Sequence, residues 1–305
     1  ARVPECPSAR VPECPSARVP ASRRPKGERH WSVLLHPPRC APTPAWIGER
    51  GDRVRFVDPA DFYSGIVVDA YAKLKSFRFD PRPYAEFIAE HGQPALELGC
   101  GDGEPMLDLC AAGQQVDGVD SSLDMVERCR KEAKRRGLDV EVHHQRVEDL
   151  MLVRRYASIY FAGPTFNLLA DDDTALRGLR SIGAHLTAAG AALIPLWIAS
   201  PTPSAELGVT RSTGDIAGTE LSYTPVTETY DRQRRIRTTS CRYERVTSAG
   251  TEVTDRQWVI HWHTPSAFRR LCERAGLEVE RLSDDDTGMP TSKATVSFTA
   301  ILRRR

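Results

Sequence analysis

The sequence predicts an α/β protein in which a mostly parallel sheet carries helices on both of its faces. Between residues 95 and 197, short apolar runs alternate with amphipathic stretches, which is the pattern that βαβ units produce. A glycine-rich turn at 99–103 follows the first of these runs and precedes a helical stretch. Residues 226–262 instead alternate polar and apolar positions, as a pair of antiparallel strands does.

The individual elements follow from this periodicity and from the residues that interrupt it. Helices are predicted at 61–76, 84–91, 104–112, 122–136, 172–186 and 264–275. Strands are predicted at 95–98, 115–119, 140–144, 157–161, 191–197, 277–282 and 295–302. Asp61 is a candidate N-cap of the first helix, and Pro81 lies where that helix must have ended. Gly276 ends the last helix.

The chain is predicted to divide into a tail and one folded domain. Residues 1–22 are a direct repeat, ARVPECPS twice and then a truncated copy, and prolines continue to about residue 44. A period of eight residues with two prolines per unit cannot stack as a solenoid, so residues 1–46 are predicted to be a disordered tail. Residues 47–305 are predicted to form the folded domain, with an insert at 200–243 that caps the substrate.

Composition and charge exclude several classes of protein. The 305 residues are 40% hydrophobic and 27% charged with a net charge of +1, so no global field recruits nucleic acid or anionic membrane. The basic run at 231–237 is interpreted as a solvated strand face. The eight cysteines show no metal-ligand spacing, and the start of the sequence lacks the apolar core of a secretion signal. These features predict a cytoplasmic protein with reduced thiols and no metal.

The glycine-rich turn indicates a ligand. Glycine costs roughly 0.5–1 kcal/mol relative to alanine inside an element, so three glycines within five positions imply a sharp bend or a close approach. The dinucleotide fingerprint G-x-G-x-x-G fails, because its last glycine would fall on Glu104 or Met106. No Lys-Ser/Thr pair follows the turn, so it is not a P-loop.

A different motif does fit this segment. The pattern E-x-G-x-G-x-G occurs at Glu97, Gly99, Gly101 and Gly103, and Asp120 closes the next predicted strand. Together with the SSLDM that follows, these motifs resemble those of the class I S-adenosylmethionine-dependent methyltransferases, over residues 60–302. The resemblance implies a Rossmann-like, seven-stranded, mostly parallel sheet with helices on both faces and an antiparallel insert. It also implies S-adenosylmethionine as the cofactor.

The resemblance further implies which residues contact the cofactor. Glu97 orders the glycine loop, and Asp120 accepts hydrogen bonds from both ribose hydroxyls, as a carboxylate can. Asp102 either meets the ammonium group of the cofactor or caps the next helix, and both alternatives remain open. Val147 and Glu148 contact the adenine or form a plain turn. The other residues that the resemblance places at the cofactor are Tyr63, Tyr84, Gly99, Cys100, Gly101, Gly103, Ser121, Met125 and Phe161.

The acceptor is predicted to be a small molecule that is methylated on N or O. The segment FAGPTFNLL at 161–169 lacks the Asn/Asp-Pro-Pro-aromatic run of enzymes that methylate base nitrogens. Instead, DAYAKL and FAGPTFNLLADDD are similar to the glycine N-methyltransferase and aminosugar N,N-dimethyltransferase branch. That likeness implies that Tyr71, or alternatively Tyr63, approaches the sulfonium. It implies that Asn167 meets the acceptor, although an amide cannot take a proton.

Two further groups are candidates for the acceptor side. His261 and His263 alternate on a predicted strand and so share one face, where one of them could accept a proton, although a structural role is the alternative. Trp197, with Trp258 or Trp262, could wall the acceptor pocket. Rival hypotheses are an RNA or protein methyltransferase and a non-catalytic subunit with the same fold. A homodimer stays open.

Overall fold

A computed structural model describes residues 58–75, 78–215 and 217–305. The predicted tail at 1–46, the predicted domain start at 47 and Ser76, at the end of the first predicted helix, lie outside the described residues. The described helices are α1 Ile66–Leu74, α2 Arg82–His91, α3 Met106–Ala111, α4 Leu123–Arg135, α5 Asp172–His185 and α6 Pro265–Arg274. No described helix is both long and apolar enough to cross a bilayer.

The described strands form two sheets. Their bounds are β1 Ala95–Leu98, β2 Val116–Asp120, β3 Val142–His144, β4 Tyr156–Phe161, β5 Leu186–Trp197, β6 Arg211–Ser212, β7 Thr219–Asp231, β8 Ile236–Thr247, β9 Gly250–His261, β10 Leu277–Asp284 and β11 Ser297–Arg304. The larger sheet has seven strands in the order β10-β11-β5-β4-β1-β2-β3. Only β11 runs in the opposite direction to the other six strands, so the predicted mostly parallel sheet is confirmed.

Helices cover both faces of this sheet, as predicted. On one face, α5 and α6 pack against alternate strand residues such as Leu96 and Leu98. On the other face, α2, α3 and α4 pack against Ala95 and Tyr160. Strands β1 and β4 are neighbours at the centre of the sheet. From β1 the chain continues toward one edge through β2 and β3, and from β4 it continues toward the other edge through β5, so the loops after β1 and β4 diverge. Open α/β sheets bind their ligands in the crevice at such a switch point.

The second sheet has four antiparallel strands in the order β6-β7-β8-β9. A pair of antiparallel strands was predicted, but three long strands, β7, β8 and β9, form a meander that is connected by tight turns. The predicted insert boundary at 243 falls inside β8, and the sheet continues to His261. Helix α1 packs on the inner face of this sheet, in a cluster that includes Val67, Tyr243 and Ile260.

Helix α1 is shorter than the sequence predicted. A 3-10 turn at Pro59–Asp61 precedes it, and Gly65, with a φ of 57°, separates the two. The predicted N-cap, Asp61, therefore caps no α-helix. The segment before α1 is held against the larger sheet: Ser121 donates a hydrogen bond to the Ala60 carbonyl at 2.8 Å, and the Gly65 N–H donates to Asp124 at 2.6 Å.

Candidate active site

The switch point opens into a cavity of about 680 Å³ that lies between the larger sheet and the inner face of the antiparallel sheet. The loops after β1, β2 and β4 line one end of it, and residues of β7, β8 and β9 line the other. This volume is within the range of about 300–1,000 Å³ that small-molecule sites occupy. The cavity therefore has two ends built from different parts of the sequence.

The glycine bend and Asp120 face this cavity together. The Gly101 N–H donates to one oxygen of the Asp120 carboxylate at 2.8 Å, and the Ser122 N–H donates to the other at 2.8 Å. Burial raises the pKa of Asp120, and these two backbone donors oppose that shift. A carboxylate has about four lone-pair sites. After the two backbone bonds, two sites remain, which is the number that a vicinal diol requires.

The glycines of the bend are required by its backbone. Gly101 has a φ of 55° and no atom within 4 Å of the place where a Cβ would lie. Gly103 has a φ of 101°, and a Cβ there would lie 2.6 Å from the Leu107 side chain. Asp102 lines the cavity, and no side chain caps helix α3, so the alternative that Asp102 caps that helix does not hold. Burial raises the pKa of Asp102.

Most of the residues that were predicted to contact a cofactor share this end of the cavity. They are Tyr63, Gly99, Cys100, Gly101, Asp102, Asp120, Ser121, Met125, Val147, Glu148 and Phe161. Val147 and Glu148 belong to a 3-10 turn after β3, so the turn and the contact are compatible. Tyr71 also lines the cavity, and its ring meets the Tyr63 ring edge to face at 5.5 Å. Burial raises the pKa of Tyr71 well above its ordinary value, so its hydroxyl keeps its proton.

Three residues predicted at the cofactor do not line the cavity. Glu97 is fully buried on the opposite side of β1, where it accepts a hydrogen bond from the Tyr160 hydroxyl at 2.8 Å. Tyr84 stacks on Tyr160 with ring centroids 5.1 Å apart and accepts a bond from the Gly163 N–H. Gly103 faces α3 and α4. In this structure the contacts of these residues support the sheet and the glycine loop, as predicted for Glu97, whereas direct contact of any of the three with a cofactor stays a prediction.

Asn167 lines the cavity, but its amide is occupied by the backbone. Its Nδ2 donates to the Trp197 carbonyl at 2.8 Å and to the His261 carbonyl at 3.1 Å, and its Oδ1 accepts from the Trp197 N–H at 3.2 Å. The side chain thereby joins the end of β5 to the end of β9. These bonds give Asn167 a structural role and leave little of its hydrogen-bonding capacity, and its contact with the acceptor stays a prediction.

His261 and His263 share a face, as the alternation predicted, but they do not line the cavity. Both are 1% exposed, and their rings lie next to Asp172, with Asp172 Oδ1 3.3 Å from His261 Nε2 and 3.9 Å from His263 Nδ1. Burial lowers the pKa of both, that of His263 to about 3. These three residues could offer ligand atoms to a metal, yet Arg235 already holds both Asp172 oxygens at 2.6 Å. This arrangement favours the structural alternative, and a proton-accepting role of either histidine stays a prediction.

The antiparallel sheet supplies the other end of the cavity. Of the predicted tryptophans, Trp197 and Trp258 line it, whereas Trp262 stacks on Tyr230 outside it. Four residues that were not predicted also line this end: Arg211, Tyr223, Arg237 and Thr239. Arg237 is only 6% exposed, so its part of the basic run at 231–237 is not a solvated face. Arg237 shares its strand face with Thr239, Cys241 and Tyr243, which follow at every second position and are all buried, and this spacing was the signal that could have found it.

Comparisons with known proteins agree with this architecture. A family of methyltransferase domains matches residues 95–190. The cypemycin N-terminal methyltransferase of a Streptomyces species is 27% identical over 259 residues, covering 81% of this chain and 99% of that protein. The dTDP-3-amino-3,6-dideoxy-alpha-D-glucopyranose N,N-dimethyltransferase of Streptomyces fradiae is 25% identical over 147 residues, covering 46% of this chain and 56% of that protein.

Among solved structures, the CcbJ methyltransferase of Streptomyces caelestis superposes with a TM-score of 0.63 at 19% identity, covering 80% of this chain and 98% of that one. Residues 95–190 are thus matched by a methyltransferase domain, and the chain is similar to class I S-adenosylmethionine-dependent methyltransferases, as the glycine motif and Asp120 indicated. The matched domain and these relatives identify the chain as an enzyme.

Proposed function

We propose that this enzyme transfers a methyl group from S-adenosylmethionine to an amino nitrogen of a small natural product. The observation that carries this proposal is the single cavity with two ends, one lined by the glycine bend and Asp120 and the other by the antiparallel sheet. In-line transfer requires the donor and the acceptor to lie in one enclosed space with their reacting atoms aligned. The nitrogen is proposed because two relatives are, by name, an N-terminal methyltransferase and an N,N-dimethyltransferase.

The residues at the first end fit the cofactor. The two remaining acceptor sites of Asp120 suit the ribose hydroxyls, and the backbone at 99–101 leaves room for the methionyl end. The carboxylate of Asp102 suits the ammonium group: burial raises its pKa, and the charge of Lys75 lowers it in part. The apolar side chains of Met125, Val147 and Phe161 suit the adenine.

Little chemistry is then required of the protein. When bound, S-adenosylmethionine supplies an activated methyl group and leaves as a neutral thioether. The acceptor nitrogen needs a free lone pair, and no histidine lines the cavity among the described residues. Tyr71 stays protonated, so it can orient the acceptor but cannot remove a proton at neutral pH. We therefore propose that the amine arrives neutral or gives its proton to water.

Two further features support a small acceptor and a reducing compartment. The acceptor end lies beneath the antiparallel sheet, and the net charge of +1 provides no broad basic surface for RNA. The cysteines at 100, 110, 129, 241 and 272 are all free thiols, which supports a location in the cytoplasm.

Calorimetry followed by turnover tests this function. S-adenosylhomocysteine should bind the full-length protein at one site, and a panel of amines incubated with S-adenosylmethionine should include one that gains the mass of a methylene group. Phenols and alcohols of matched size form the control panel. Transfer only to oxygen, or transfer to RNA with an affinity that falls steeply with salt, would overturn the assignment of a small amine.

A further inference from the structure

We propose that the methyl acceptor carries an oxyanion, either a carboxylate or a phosphate, which docks between the guanidinium groups of Arg211 and Arg237. This inference rests on the proposed function, because it names the chemical class of the molecule that fills the acceptor end of the cavity. Arg211, Arg237 and Trp258 line this part of the cavity and form what we call the oxyanion pocket.

The oxyanion pocket contains buried hydrogen-bond donors that the protein does not satisfy. Within the described residues, no acceptor reaches Arg211 Nε or Nη1, Arg237 Nε, or Trp258 Nε1. A buried donor without a partner costs about 1–3 kcal/mol, and more when it is charged. Folded proteins rarely leave several such groups along one cavity wall, so a cluster of them points to a ligand that accepts hydrogen bonds.

The carboxylates near these arginines do not use up their donors. Glu228 lies 3.7 Å from Arg237 Nε, beyond hydrogen-bonding distance, and it already accepts bonds from the Thr202 N–H, the Thr202 hydroxyl and the Thr239 hydroxyl. Glu206 lies 3.6 Å from Arg211 Nη2, which leaves Nε and Nη1 of that guanidinium without an acceptor. The ion pairs therefore hold the arginines in place while their remaining N–H groups stay available.

Arg237 is held rigidly for this task. Its guanidinium lies over the Trp197 ring at 4.9 Å and over the Trp258 ring at 5.5 Å, and its Nη1 donates to the Ser200 carbonyl at 3.0 Å. A guanidinium fixed between aromatic faces loses little entropy when it binds a ligand. Such planar donors match the oxygens of carboxylates and phosphates, to which they can donate two parallel bonds.

Tyr223 feels the charge of both arginines. Arg211 pairs with Tyr223 across the β6–β7 ladder, and the charges of both Arg211 and Arg237 lower the pKa of the Tyr223 hydroxyl, although burial raises it overall. Burial also lowers the pKa of each arginine, so a negative group in the pocket would be favoured by both. A neutral acceptor would leave these donors with incomplete partners.

Anion binding can be measured directly on the full-length protein. Inorganic phosphate and benzoate are the two probes, titrated at constant ionic strength while tryptophan fluorescence is recorded, since Trp197 and Trp258 flank Arg237. At least one probe should give a saturable change. Arg211→Gln and Arg237→Gln should each weaken the affinity for that probe by about tenfold or more, which is the loss expected for a charge-assisted hydrogen bond. Arg242→Gln is the control, because Arg242 lies on the same strand with its side chain paired to Asp255 outside the cavity.

The outcomes separate the possible ligands. Saturation by phosphate alone assigns a phosphate ester, and saturation by benzoate alone assigns a carboxylate. No saturable change with either probe, or equal affinity in the wild type and both glutamine variants, overturns the proposal. If Arg237→Gln fails to fold, Arg211→Gln and Arg237→Lys carry the test. Calorimetry with S-adenosylhomocysteine on the same samples tests the proposed function independently of the anion. Anion binding without cofactor binding would contradict the proposed function but not the oxyanion pocket.

Discussion

Replacing Asn167 by alanine distinguishes a structural role from a role at the acceptor. The side chain is 1% exposed and makes three hydrogen bonds to the backbone of Trp197 and His261. Through these bonds it joins the larger sheet to the end of the antiparallel sheet. Asn167→Ala removes all of them and leaves two carbonyls and one N–H without their partner.

The expected cost follows from those three bonds. A buried hydrogen bond contributes about 1 kcal/mol net, and the unpaired backbone groups add a desolvation penalty, so the free energy of unfolding should fall by about 3 kcal/mol. Asn167→Asp is a matched variant, because it keeps the acceptor for the Trp197 N–H but turns a carboxylate oxygen toward two carbonyls. It should be destabilised at least as much.

Urea unfolding followed by circular dichroism gives the stability, and calorimetry with S-adenosylhomocysteine confirms that the folded variants still bind. A structural role predicts a large loss of stability with cofactor affinity retained. If Asn167→Ala unfolds within about 0.5 kcal/mol of the wild type while turnover is abolished, the reasoning from these bonds is refuted. Asn167 would then act on the acceptor itself.

Three further predictions test the cofactor end and the buried histidines. Asp120→Ala should weaken the affinity for S-adenosylhomocysteine, measured by calorimetry, by about 10-fold to 150-fold, which corresponds to the roughly 1.5–3 kcal/mol that hydrogen bonds to a charged group contribute. An unchanged affinity would contradict the contact between Asp120 and the ribose. Gly103→Ala should lower the melting temperature more than Gly113→Ala, because both positions have positive φ but only at Gly103 would the new Cβ meet a side chain at 2.6 Å. The pKa of His263 is lowered to about 3, below its unfolded value near 6.5, so on acidification the unfolded chain takes up the proton first. The stability that the neutral His263 contributes is therefore complete above pH 6.5 and is lost as the pH falls toward 3. Urea titrations should therefore show a loss of about 2 kcal/mol between pH 7 and pH 5 that shrinks in His263→Gln; an equal loss in both proteins would contradict the assignment.

The end of the cavity that the glycine bend and Asp120 line was predictable because these residues lie where strands end. Gly99–Gly103 follows β1 and Asp120 ends β2, and the carboxyl ends of neighbouring parallel strands meet at one edge of a sheet. The contacts of Glu97 and Tyr84 with Tyr160 were not predictable, because a motif does not tell which distant residue a buried side chain meets.

The acceptor end was not predictable in the same way. Arg211, Arg237 and Trp258 come from three strands whose neighbours are set by the register of β6, β7, β8 and β9. A period of two shows which residues share a face but not which way that face turns. The basic run around Arg237 therefore resembled a solvated surface until the packing of α1 and Trp197 enclosed it.

The sequence by itself determined the α/β class, the parallel sheet and the meeting of the glycine bend with Asp120, because local patterns and strand ends encode them without distant contacts. Only the tertiary structure decided that Asn167 joins the two sheets, that His261 and His263 turn toward Asp172, and that Arg237 is buried where the antiparallel sheet lines the cavity. Each of these depends on residues distant in the chain meeting in space. The energy of such contacts, rather than any local preference, selects which groups remain available for a ligand.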